Sequence, residues 1–336
     1  ASVTLPSLGG DVAAAIGLPD DANGDNVISS SSIATSIQSE LTGKDVYWKK
    51  DINGIIPHFS TSTLDTRNRQ RVPEPQNSPL LYPSWMNGDW NVKYTFQNAV
   101  FPQGRRALSL RVPGAGIATC MALPNVGWTT KFAFQQRYLE VPKPMSELSC
   151  YPDVAFNVPR LLEVFWTEGH TTYISVGPSS SSLVKCFDTG DGCTIEENPS
   201  LHSPSTFYEI GFSGPTRRNN GERAEQRVEC LTYRSESAIP QATSNGESKK
   251  GNDASVYYTS EDVIQFNAGV GLEGRYRVIS AWEKQGNEEV IGTVRVAAFL
   301  PAVAEEETVD GRGDKVKTEQ AVALYDYRVT MSKSDE

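Results

Sequence analysis

The chain has 336 residues, enough for one large β-domain or two ordinary ones. It carries 31 Lys and Arg against 41 Asp and Glu, a formal net charge of −10, which argues against a general affinity for nucleic-acid phosphates or anionic headgroups. Hydrophobic residues make up 38%, so a core can form but not over the whole length.

Residues 1–79 are rich in Ser, Asp, Asn, Pro and Thr, and open on Ala1 rather than Met, as expected of a chain whose leader was removed or whose end was trimmed. Asp21, Asn23 and Asp25 stand like the first ligands of an EF-hand loop. Asn26 replaces the required Gly and Ser32 the bidentate Glu, so this reads as a solvated acidic turn. A helix is predicted from Ser31 to Thr42: Ile33, Ile37 and Leu41 recur at helical spacing, serines precede them and Gly43 follows. Little else in this stretch supports a core of its own. It reads as an extended N-terminal arm, ordered only where it lies on something else, whose removal should leave the rest folded. Tyr47, Trp48, Ile55, Ile56 and Phe59, with Ile52 and Leu64, are spaced along it as anchors for a partner.

From Leu80 the texture changes to short alternating runs broken by Gly, Pro, Asn and Ser. Trp90, Val92, Tyr94 and Phe96 fall on one face of a first strand. Further strands are predicted over 136–141, 161–166, 171–176, 207–212, 226–235, 262–267, 276–282, 289–299 and 321–331, with a hairpin turn at Gln285-Gly286-Asn287-Glu288. Residues 80–336 then form a single antiparallel domain with long loop insertions near 187–204 and 239–256. Many sequential strands joined by hairpins favour an all-β, up-and-down barrel, because closure removes exposed edges; a two-sheet sandwich is the alternative. Gly269-Val270-Gly271-Leu272-Glu273-Gly274 matches a dinucleotide-binding pattern, yet a strand rather than a helix follows it, so it is a hairpin loop. The most apolar stretch, Val294 to Ala304, is interrupted by Arg295 and Pro301 and is too short for a membrane-spanning helix.

Chemistry-bearing patterns are few. Five cysteines without a Cys-x-x-Cys pair and three histidines (His58, His170, His202) argue against a zinc site, and no metal ligands are assigned. Cys186 and Cys193 bracket a Gly-containing hexapeptide and could close a small disulfide loop in an oxidising compartment, or be two unrelated thiols. Ser182-Leu183-Val184-Lys185 lacks the companion motifs of a Ser-x-x-Lys enzyme, and Arg312-Gly313-Asp314 falls in a charged loop. Asp89 and Asp326 would serve as acid and base only if they faced one cavity; both are out of phase with the neighbouring aromatics and read as solvent-facing. Trp85, Trp90, Trp128, Trp166 and Trp282 suit a filled core, or a cavity for a lipid or pigment. No catalytic constellation emerges.

Asn87-Gly88-Asp89-Trp90 opens the first strand, and there the sequence resembles the lipocalin/calycin barrels. Their first strand begins Gly-x-Trp and their last carries an Arg packed across the Trp. Gly88 and Trp90 match the first element, and Arg328 in Tyr325-Asp326-Tyr327-Arg328 is the candidate for the second. A second resemblance rests on Leu81-Tyr82-Pro83-Ser84-Trp85-Met86-Asn87-Gly88-Asp89-Trp90-Asn91-Val92, the turn Phe101-Pro102-Gln103-Gly104 and the terminal strand Ala321 to Thr330. Over 80–331 the chain resembles a DUF6816-like domain family of plastids and cyanobacteria, a family with no agreed activity. The insertions near 186–204 and 239–255 depart from its compact pattern. The resemblance implies a chloroplast protein peripheral to the thylakoid, and the acidic surface and the candidate disulfide loop lean towards the lumen. The expected function is a non-catalytic subunit or assembly factor that docks on a photosystem-type membrane complex through the arm and loops. The alternative is a calycin-type carrier of a lipid, carotenoid or tetrapyrrole.

Overall fold

The computed structural model describes residues 30–50, 79–104, 131–141, 147–165, 170–177, 184–185, 204–217, 223–240, 256–267, 272–300 and 317–334. Twelve strands form one antiparallel sheet: β1 (Tyr82–Pro83), β2 (Gly88–Val100), β3 (Lys131–Glu140), β4 (Leu148–Pro152), β5 (His170–Val176), β6 (Val184–Lys185), β7 (Phe207–Arg217), β8 (Arg223–Ala238), β9 (Val256–Asn267), β10 (Leu272–Gln285), β11 (Glu289–Phe299) and β12 (Ala323–Lys333). Their order is β1-β4-β3-β2-β12-β11-β10-β9-β8-β7-β5-β6. From β7 to β12 each strand pairs with its neighbour in the chain, and β12 returns to pair with β2. This is an all-β, up-and-down, barrel-like fold.

The curl of the sheet identifies its inner face. Tyr82 on β1 packs edge-on against Tyr138 on β3 (5.1 Å between centroids) and against Tyr257 on β9 (5.5 Å), although β3 and β9 stand far apart in the sheet. Only a concave face brings such strands together. The Tyr257 hydroxyl also donates to the Leu81 carbonyl. Strict alternation fills this face with Trp90, Val92, Tyr276, Trp282, Val294, Val296, Tyr325, Tyr327 and Val329. Trp282 fits because Gly292 lies directly opposite on β11, where a Cβ would come within 2.4 Å of its ring.

The sheet ends at β1 and β6, and helix α2 (Val154–Phe165), which lies between β4 and β5 in the chain, touches β3 on one side and β5 on the other. Residues 161–166 were expected to be a strand, but most of that run lies in α2. Val154, Val158 and Leu162 recur at helical spacing, and their face buries against Ile174, Ile210 and Val228. Asp153 starts the helix, its carboxylate accepting from the Phe156 amide (3.3 Å) and its carbonyl from the Asn157 amide (2.8 Å). The Asn157 side chain then bonds both backbone groups of Arg137 (2.7 and 3.0 Å), satisfying β3 where β4 has ended.

On the outer face lies α1 (Ser30–Thr42), within a residue of the expected helix, with Ile37 and Leu41 buried against the sheet. Its underside meets charge. Arg277 on β10 is 1% exposed and forms a two-point pair with Asp262 (2.5 and 2.9 Å), adding a bond to Glu40 of α1 (3.1 Å). Arg295 on β11 grips Asp326 (2.6 and 3.0 Å) and donates to the Glu40 carbonyl (2.9 Å) and the Gly43 carbonyl, closing the helix C-terminus.

Residues 43–50 continue as a strap across the strand ends, joined to the stretch before β12 through Ala321 N–H to Val46 (2.9 Å) and Trp48 N–H to Glu319 (2.7 Å). Trp48, expected as a partner anchor, is a core residue instead. It is 3% exposed, packs edge-on against Phe299 (5.3 Å) and lies beneath the Arg275 guanidinium (5.5 Å). The described part of the arm therefore lies on the chain's own sheet, and removing it would uncover Arg275, Arg277 and Arg295. Trp48→Ala is expected to cost about 3–5 kcal/mol, the loss for a large ring truncated in a core, read by urea denaturation.

Candidate functional site

Three places carry side chains beyond what the sheet needs: the plugged end of the barrel, the middle of its inner face, and the strap.

At the plugged end, a 3₁₀ turn (Ser84–Met86) leads into β2 through Gly88, whose φ of +102° an L side chain rarely adopts. A Cβ there would also sit 2.8 Å from Lys333 Nζ. Trp90 is 1% exposed and its indole N–H donates to the Met86 carbonyl (2.6 Å). The cation over its ring is Lys333, with Nζ 4.2 Å from the centroid and bonded to the Asn87 carbonyl. Arg328, expected in that role, does not reach it. Lys333 pairs directly with Trp90 in the β12–β2 register, whereas Arg328 pairs with Thr95 and is exposed. The two β12 cations lie an odd number of residues apart, so they point to opposite faces. Burial holds the Lys333 ammonium below its ordinary pKa, against the opposing charge of Asp89.

Asp89 and Asp326 do not meet. Asp89 is held by Arg137 (2.8 and 3.2 Å), and Asp326 by Arg295. The described thiols are equally engaged: Cys150 and Cys230 are buried, and burial pushes both to about 12, so neither is a nucleophile at neutral pH.

Midway along the inner face stands Glu261 on β9. It alternates with Tyr257, Thr259, Val263 and Gln265, opposite Val278 on β10. Its carboxyl lies near enough to Tyr82, Tyr138, Tyr208 and Tyr257 to raise the hydroxyl pKa values of all four, which burial already lifts. Among the described residues no hydrogen bond or ion pair meets Glu261, and burial pushes its pKa up to about 7. It nevertheless keeps accessible surface, as do Val263, Val278, Tyr94 and Phe96 on the same face. The inner face is thus filled around Trp90, Tyr276 and Tyr327 and looser at its middle.

On the strap, Tyr47 is 49% exposed between Val46 and Trp48, both buried, and bridges to Gln320. Ile55, Ile56 and Phe59, the other expected anchors, lie outside the described residues, as do Cys186 and Cys193. Among the described residues no group of three His, Cys, Asp or Glu is placed to hold a metal, and no helix is long and apolar enough to cross a membrane. No family model, curated protein or solved structure matches the chain.

The sequence reading missed Lys333 and Glu261. Both were open to the alternation argument: Lys333 is in phase with Tyr325, Tyr327, Val329 and Met331, and Glu261 with Tyr257. A double-mutant cycle of Trp90→Ala and Lys333→Ala is expected to show coupling of about 0.5–2 kcal/mol. Arg328→Ala should stay within about 0.5 kcal/mol of the parent, as an exposed substitution does. Glu261 gives a pH signature. A carboxyl whose folded pKa is raised from 4.5 to about 7 favours the fold while neutral and opposes it once ionised. Its contribution is complete below the unfolded value and is lost as pH rises through the folded one. Glu261→Gln should therefore raise the thermal midpoint at about pH 8, with the gain fading towards about pH 4, as followed by circular dichroism.

Proposed function

We propose that the chain is a non-catalytic, peripheral subunit or assembly factor that docks on a membrane-protein complex, with Tyr47 on its strap as a contact. The supporting observation is the presentation of Tyr47. An aromatic ring that is exposed on a free loop must be ordered on binding, at about 0.5–1.5 kcal/mol for a flexible side chain. Tyr47 avoids part of that cost because its neighbours are fixed. Val46 and Trp48 are sunk in the core, Gln320 pairs with its backbone, and Lys49 and Lys50 are tied to Glu236 (2.7 Å) and Glu319 (2.6 Å). A pre-positioned tyrosine with a polar rim matches the kind of residue that carries interface energy. Asp89, Asp262, Asp326, Glu209 and Glu229 are each held by an arginine, which favours a scaffold over an enzyme; Glu261 is the exception.

The identity of the complex rests on the DUF6816-like resemblance, which points to the chloroplast and to a photosystem-associated place at the thylakoid. The acidic surface favours the lumen, as would a Cys186–Cys193 bridge. Tyr47→Ala should leave the thermal midpoint within a few degrees, since the ring is exposed, yet release the protein from thylakoid complexes on a sucrose gradient. Undiminished co-migration at the parent's stoichiometry would reject Tyr47 as the docking residue.

A further inference from the structure

We infer that the middle of the inner face is a binding site for a small amphipathic amine, an apolar body with one protonated nitrogen, whose ammonium pairs with Glu261. The site lies on the opposite face of the sheet from the strap, so the inference is independent of the docking reading.

The first ground is the place of the carboxylate. An inward-facing acid in the centre of an antiparallel sheet is costly unless it is paired. The outer face of this chain observes that rule, for Asp262, the next residue along β9, accepts two bonds from Arg277. Glu261 has no such partner among the described residues. The second ground is space. Val278 directly across and Val263 two residues along keep accessible surface although both face the interior, so the packing is looser around the carboxylate than at the plugged end. The third is polarity. Gln265, two positions beyond Val263 on the same face, is 1% exposed, and its amide atoms find no nitrogen or oxygen partner among the described residues; its contact is the Cys230 thiol.

The chemistry of the occupant follows from these walls. Tyr82, Tyr138, Tyr208 and Tyr257 all lie near enough to feel the one negative charge, so its surroundings are aromatic. A fatty acid would set a second carboxylate beside the first, and an uncharged hydrocarbon would leave the first unpaired. A protonated amine satisfies it by a charge-assisted bond, while aromatic rings attract the same cation.

Isothermal titration of the full chain at about pH 8, where Glu261 is ionised, tests this with tryptamine and with 3-ethylindole, the same body without the amine. The parent should bind tryptamine more tightly than 3-ethylindole, and Glu261→Gln should weaken tryptamine by about tenfold or more while leaving 3-ethylindole unchanged. No tryptamine binding by the parent, or equal binding by Glu261→Gln, overturns the proposal. Should that variant fail to fold, Val278→Phe, which fills the space facing the carboxylate, must abolish tryptamine binding, and retained binding overturns the proposal equally.

Discussion

The arginines of the outer face set the terms for the rest of the molecule. Arg275, Arg277 and Arg295 stand on the two central hairpin strands, at 0%, 1% and 6% exposure, where a lone guanidinium would be far more costly than a lost surface contact. Asp262 and Asp326 answer two of them from within the sheet, and Glu40 with the last carbonyls of α1 answers them from above. Breaking a buried pair by removing one partner costs about 3–5 kcal/mol, so the helix and the sheet depend on each other. Burial lifts the Glu40 pKa, and the Arg277 charge pulls it back. The strap follows from the same constraint. Once α1 is fixed over the arginines, the chain leaving it at Gly43 passes the ends of the sheet, and Trp48 drops beside Arg275 and Phe299.

The seam is the second constraint. A twelve-stranded curled sheet leaves edges at β1 and β6, and open edges invite pairing with other chains. On the β3 side, α2 answers this by bonding the backbone of Arg137 through Asn157 and Asp153, with the Arg137 guanidinium stacked 4.1 Å from the Phe156 ring. On the β5 side it buries an apolar face. The helix is at once an edge cover and a wall of the interior, which makes a barrel-like space possible without continuous strand pairing.

Much of this was legible in the sequence. Period-two runs marked most of the long strands, and the spacing of Ile33, Ile37 and Leu41 marked α1 almost to its ends. What escaped depended on partners distant in the chain. Leu161 to Trp166 alternates well enough for a strand, and only the upstream Val154 and Val158 show the helical period. Arg328 stands on the last strand, where the calycin resemblance implies an Arg, but its phase places it outward, and the register that brings Lys333 onto Trp90 is set by pairing with β2. Trp48 looked like an interface residue because its local sequence is polar. Its partners Phe299 and Arg275 lie more than two hundred residues away, where local pattern gives no warning.

The contrast between Glu261 and Asp262 shows how a sheet separates structure from chemistry. The two are neighbours on β9, both acidic, and alternation alone sends them to opposite faces. Outward, Asp262 meets Arg277 and becomes part of the scaffold that holds α1 in place. Inward, Glu261 meets tyrosines and valines, and the same negative charge becomes a liability, with the carboxyl pushed up to about 7. The strap and the interior are therefore separate in their physics. Tyr47 depends on the outer ion pairs for its fixed position and would lose it if they were broken. Glu261 contributes nothing to those pairs, and its ionisation opposes the fold. A side chain that works against stability where an apolar residue would fit is the strongest reason to look for its role in what the barrel holds, because packing alone gives no account of it.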